Sequence, residues 1–206
     1  MQFLVNDDNF WENVIFSDEK VFQSSHNGKV KVFRPPQSRF NETYTKKDNS
    51  SGRFSVNVWA WISSRGPGVC WKIDGRLNGQ AYAEILENVF LPSANLLFEN
   101  NDFIFQQDNC PVHRCRIVQN CLFENEVNCL PWCSRSPDLN PIENIWGFIT
   151  QKMYRENFRP QNPDELWDKI QESWELLTVE YTRNLIRSMP TRLNLVLDVN
   201  GAAIKY

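Results

Sequence analysis

Hydrophobic and polar positions alternate most cleanly from Phe54 to Ser64, FSVNVWAWISS, a stretch rich in β-formers. A period of two predicts a strand, the clearest in the chain. The turn RGPGV and the run VCWKI then predict an adjacent partner strand. Upstream, the apolar run Val14-Ile15-Phe16 breaks at Ser17-Asp18-Glu19, and alternation resumes at Lys20-Val21-Phe22. That pattern predicts two strands joined by a tight acidic turn, with Asp18 at the end of the first. From Asn78 the rhythm changes. Apolar residues at 81, 82, 85, 86, 89 and 90 follow the spacing of a helix, which Pro92 should kink or split. FIFQQD, ending at Asp108, reads as a further strand. His113 to Asn125 reads as a helix, EVNCLPW as a short strand and SRSPDLNP as a loop. Ile142 onward (IENIWGFITQKMY), DELWDKIQESWELL from Asp164 and YTRNLIRSMPTRL each predict a helix.

Early strands joined by short turns should pair antiparallel, and later ones separated by helices should pair parallel. The expectation is an α/β domain spanning residues 1–206, with one mixed sheet and helices on both faces. Chemistry would then sit in the loops at strand ends. The polar tract HNGKVKVFRPPQSRFNETYTKKDNSSG, with Pro35-Pro36 inside it, predicts a long loop or arm over about 25–53.

Composition narrows this further. Hydrophobic residues make up 41% of the chain and eight are Trp, enough to fill a core. No apolar run approaches the ~20 residues of a membrane helix. MQFLVNDDNFWEN lacks the basic and apolar regions of a secretion signal, so an intracellular protein is expected. The six cysteines are then expected as free thiols, since their spacing lacks the paired clusters of a zinc site. A net charge of −3 argues against binding nucleic acid by bulk charge. The charge is uneven, however. Lys29, Lys31, Arg34, Arg39, Lys46 and Lys47 face only Glu42 between positions 29 and 47. Such a stretch is either a solvated loop or a contact for phosphates or an acidic partner.

Three acids stand out: Asp18, Asp108 and Glu143. If the strands carrying the first two are neighbours, their carboxylates converge at one sheet edge, where like charges repel unless a cation holds them. Mg²⁺ or Mn²⁺ suits oxygen ligands, and a third acid on a nearby helix would complete a two-ion site for phosphoryl transfer. Each acid also fits a plain structural role. Asp18 and Asp108 can start turns. Asn140, Pro141 and Glu143 resemble the capped start of a helix.

The surrounding sequence is more specific than the acids alone. SDE at 17–19, QQDNCPVH at 106–113 and SPDLNPIEN at 136–144 resemble the catalytic domain of Tc1/mariner transposases. The 34 residues between positions 108 and 143 match the Tc1-like spacing. WENVIFSDE, VWAWISSRGPG, KIDG, PDLNPIENIW and GAAIKY fall in the family's order along nearly the whole chain. The resemblance implies an RNase H-like fold, a mixed five-stranded sheet with two acids on strands and the third on a helix. It also implies a divalent-metal-dependent DNA transposase of the DDE superfamily, in which Asp18, Asp108 and Glu143 bind two Mg²⁺ ions, with Mn²⁺ as substitute. The implied partners are transposon-end and target DNA and a second copy in a homodimeric synaptic complex; the implied location is the nucleus. Asn109 and His113 lie in the second motif, where they can orient Asp108 or touch a phosphate; His113 can equally start a helix. Lys29, Lys31, Arg34, Lys46 and Lys47 fall where relatives carry an arm to DNA and the partner subunit.

The family's N-terminal helix-turn-helix modules lie outside the matched stretch, so recognition of specific transposon ends is not expected from this chain alone. Asn49-Ser50-Ser51-Gly52 stands where relatives are often glycine-rich. A non-catalytic transposase remnant, acting as a nucleic-acid-binding or interaction module, is the competing expectation. A free-standing RNase H-like nuclease shares the chemistry but lacks the flanking motifs.

Overall fold

The computed structural model describes residues 8–24, 53–99, 102–133, 136–199 and 202. The arm expected over about 25–53, with Lys29, Lys31, Arg34, Arg39, Lys46 and Lys47, lies outside them, apart from Arg53.

The elements in chain order are α1 (Asp8–Glu12), β1 (Val14–Gln23), β2 (Ser55–Ser63), β3 (Gly66–Ile73) and α2 (Gly79–Ile85). A π-helical turn (Leu86–Phe90) and α3 (Leu91–Ala94) continue from α2, and β4 (Ile104–Gln106), α4 (Arg116–Glu124) and β5 (Asn128–Cys129) follow. A 3₁₀ turn (Pro137–Leu139) then leads to α5 (Ile142–Arg155), α6 (Pro163–Glu175), α7 (Val179–Arg187) and α8 (Met189–Asp198). The five strands form one sheet in the order β3-β2-β1-β4-β5. β1 pairs antiparallel with β2, and β2 with β3; β4 pairs parallel with β1, and β5 with β4. This is the mixed sheet expected from the order of the elements.

The period of two in β2 is what joins both layers to the sheet. Val56, Val58, Ala60 and Ile62 point into a core built with α5, α6, α7 and α8. Trp59 and Trp61, both fully buried, point into a second core with α2, α3 and α4. Each buried indole is worth roughly 2–3 kcal/mol of transfer free energy. The Trp61 ring also explains a glycine: a Cβ at Gly68 would sit 2.0 Å from that indole.

Three expectations are corrected here. β1 is one continuous strand, and Asp18 sits in its middle rather than at a turn. The reason is the ladder to β2, unbroken from Phe16↔Ile62 to Gln23↔Ser55, which takes up the backbone hydrogen bonds whatever the side chains are. The helix from Gly79 is not broken at Pro92. It widens into the π turn just before the proline, where the Leu91 N–H reaches back five residues to the Leu86 carbonyl. The last predicted helix is two, α7 and α8, which meet at Ser188 with Pro190 in the first turn of α8.

Candidate active site

β4 stops at Gln106, paired with Phe16 of β1, while β1 runs on. The flank of β1 beside Asp18 is therefore open on the β4 side. Along β1, Phe16 packs into the α5 core and Ile15 into the opposite one. The same alternation sends Asp18 and Lys20 toward α5 and Glu19 toward α2 and α4. Asp18 Oδ2 accepts a hydrogen bond from Trp146 Nε1 of α5 at 2.9 Å. Lys20 Nζ reaches Glu143 Oε2 in the first turn of α5 at 3.4 Å.

Asp108 lies two residues past β4. Its Oδ1 accepts from the Cys110 N–H at 2.8 Å and lies 2.7 Å from His113 Nδ1. The other ring nitrogen of His113 lies 3.1 Å from Glu19 Oε1. The imidazole is 2% exposed and packs on the Tyr82 ring at 4.3 Å. His113 does not start a helix; α4 begins at Arg116, and the histidine is spent on bridging Glu19 and Asp108. Asn109 donates from Nδ2 to the Trp132 carbonyl at 2.7 Å, which fixes the segment after β5 that closes the cleft.

Glu143 does not form the capping box its position suggests. Pro141 is the N-cap, without a side-chain cap, and the Glu143 carboxylate faces Lys20. Asn140 instead ties the start of α5 to β1, donating to the Ser17 carbonyl at 3.1 Å. Arg192 of α8, 1% exposed, supports the same turn from behind. It donates to the Asp138 carbonyl at 3.1 Å, to Asn144 Oδ1 at 2.8 Å and to Ser188 Oγ at 2.9 Å.

Asp18, Asp108 and Glu143 come from three distant segments and line one cavity of about 130 Å³, with Gln106, Trp132 and Asn140 also in its wall. Their electrostatic settings differ. Burial, with the nearby charges of Glu19 and Glu143, pushes Asp18 up to about 7, against the opposing hydrogen bond from Trp146. The hydrogen bond from His113 holds Asp108 below its ordinary value. Burial alone would disfavour a charged His113, but Asp108 and Glu19 outweigh it and hold the imidazole up to about 10.

Among the described residues, no three His, Cys, Asp or Glu side chains are gathered tightly enough to hold a metal ion. The donor chemistry nonetheless suits a hard divalent cation. Three carboxylates share one wall, and the charge of Asp18 is opposed by its own neighbours. The Gln106 amide lining the same cavity is buried, with neither end hydrogen-bonded among the described residues.

Glu19, Gln106, Tyr82 and Arg192 are site residues that the sequence reading did not single out. Glu19 alone carried a local signal: in an alternating strand, Asp-Glu must send acids to opposite faces. The other three depend on contacts across the fold.

Comparison with known proteins gives the chain a family and the fold its neighbours. Residues 13–174 match the family described as DDE superfamily endonuclease. The chain is 34% identical to the Tc1 transposase of Caenorhabditis elegans, over 95% of this chain and 71% of that protein. It is 32% identical to the Tcb2 transposase of Caenorhabditis briggsae, with the same coverage of each. The crystal structure of the catalytic domain of Mos1 mariner transposase superimposes with a TM-score of 0.72 at 18% identity, covering 99% of this chain and 91% of that one. The Mos1 paired end complex with Mn gives a TM-score of 0.78 at 19% identity, and there this chain spans 61% of the matched chain. The fold is thus the RNase H-like α/β fold of a transposase catalytic domain. The chain belongs to the DDE superfamily endonucleases, as a DDE catalytic domain of Tc1/mariner type.

Proposed function

We propose that this domain cuts DNA at a transposon end and joins the freed 3′ end to target DNA, in a divalent-metal-dependent reaction for which Asp18, Asp108 and Glu143 hold two ions. Bound Mg²⁺ or Mn²⁺ would supply the Lewis acidity that activates water or a 3′ hydroxyl and neutralises charge on the phosphate. The chain's own residues prepare the site. Asp108 is kept ionised by His113, so it presents a full negative charge at neutral pH. Asp18 retains a proton near neutrality and gives it up when a positive charge arrives. His113 positions Asp108, with Glu19 behind it, and Asn109 fixes the segment bearing Trp132. Lys29, Lys31, Arg34, Lys46 and Lys47 would meet phosphates or a second copy of the chain. The partners that follow are transposon-end and target DNA and a homodimeric assembly. The Mos1 relatives in paired-end complexes support this reading.

The observation that carries the proposal is the convergence of three acids, 125 residues apart in sequence at the extremes, on one cavity. The test is cleavage of a duplex oligonucleotide carrying a transposon end, with Mn²⁺. Asp108→Asn should lower the rate by at least ~10³-fold in protein that a thermal melt shows to be folded at the assay temperature, as expected when a metal-ligating carboxylate is lost. Retained cleavage would overturn the assignment.

A further inference from the structure

We infer that Gln106 is a catalytic residue whose side-chain amide contacts the reacting phosphodiester; this rests on the transposase reading above. Gln106 is the last residue of β4 and is completely buried. Its backbone carbonyl is occupied by Ser17 Oγ at 2.9 Å. Among the described residues, its side-chain Nε2 and Oε1 have no hydrogen-bond partner. Ile104, two residues earlier, packs against the α5 core, so Gln106 projects to the same face of the sheet as Asp18. It lines the cavity of the three acids.

An apolar side chain could fill this position without penalty, whereas a buried amide with both ends unmet is costly. Such a group is satisfied by what enters the cavity. Asp18, Asp108 and Glu143 are acceptors when ionised, so they cannot hydrogen-bond the non-bridging oxygens of a phosphate. The Gln106 Nε2–H supplies a donor for one of those oxygens in a wall where the other side-chain amide, that of Asn140, already donates to the Ser17 carbonyl. Its Oε1 accepts from the hydrogen of the attacking group, water in cleavage or a 3′ hydroxyl in joining. One amide thereby holds both partners of the displacement in register. A carboxylate at 106 would keep only the acceptor half and add a fourth negative charge.

The experiment compares Gln106→Met, Gln106→Glu and Asp108→Asn in Mn²⁺-dependent cleavage of a duplex transposon-end oligonucleotide, with a thermal melt of each. Gln106→Met, close in volume and apolar, should melt at or above the wild-type temperature and yet cleave about 10²-fold more slowly, the size typical for losing one donor aimed at a reacting phosphate or oxyanion. Gln106→Glu should be slower still. Gln106→Met cleaving within threefold of wild type, with Asp108→Asn inactive, would overturn the inference and leave the transposase reading standing. A melting temperature that falls along with the rate would assign Gln106 to the fold and also overturn it. Full activity in Asp108→Asn would remove the underlying reading itself.

Discussion

The two flanks of the cleft give the same chemical group opposite proton affinities. On the α4 side, Asp108 meets a buried imidazolium and is held ionised. On the α5 side, Asp18 meets an indole N–H and two neighbouring acids, and stays protonated up to about 7. Burial raises both and is the largest cause at Asp18; at the more exposed Asp108 the hydrogen bond from His113 outweighs it. β1 joins the flanks. Asp18 and Glu19 are adjacent in sequence but project to opposite faces. One therefore lines the cleft, and the other secures His113, which in turn grips Asp108. The first half of the site is charged at neutral pH, and the second holds its proton up to about 7.

The largest effect on this comparison should come from His113→Ala. It leaves Glu19 and Asp108 without the cation between them; the loss of two charged hydrogen bonds, screened on the half-exposed Asp108 side, should cost roughly 2–4 kcal/mol. Because His113 is raised from 6.5 to about 10, its contribution is fully present below pH 6.5 and is lost as the pH rises through 10. Urea unfolding of wild type and variant should therefore differ most below pH 6.5 and approach each other near pH 10. A deficit independent of pH would mean that packing on Tyr82, and not charge, is what His113 supplies.

Asp18→Asn should act in the opposite direction and less strongly. The Asp18 pKa is raised above its unfolded value, so wild-type stability falls as the pH climbs from 3.8 to about 7. Asparagine keeps an oxygen for Trp146 and has no charge to desolvate. The variant should gain roughly 1–3 kcal/mol at pH 8 and nothing at pH 3.5, read from thermal melts, while losing cleavage. A variant less stable than wild type at pH 8 would show that the Asp18 charge is already compensated. The smallest effect belongs to Lys20→Met. The Lys20–Glu143 pair is more than a third exposed at both ends, so its loss should cost no more than about 0.5–1 kcal/mol in the same melts.

Much of this was legible along the chain, for a physical reason that also marks where legibility stops. The strand FSVNVWAWISS announced itself because its alternation is local; that both of its faces are buried comes from the helices packed on either side. The three acids could be found because each sits in a distinctive local sequence. β1 was misread because Ser17-Asp18-Glu19 looks like a turn in isolation. Its continuity is imposed by β2, more than thirty residues downstream. Tyr82, Gln106 and Arg192 were missed for the same reason. An aromatic in a helix, a glutamine at a strand end and an arginine in a C-terminal helix become site residues only through partners supplied from elsewhere.

The buried arginine of α8 bears on how copies of such an element are judged. A reading frame interrupted between codons 143 and 192 still encodes every acid of the cleft, yet lacks the peg that seats the turn leading into the last of them. Screening sequences for intact acids alone will therefore overcount working enzymes, and the far end of the open reading frame is the better place to look for decay.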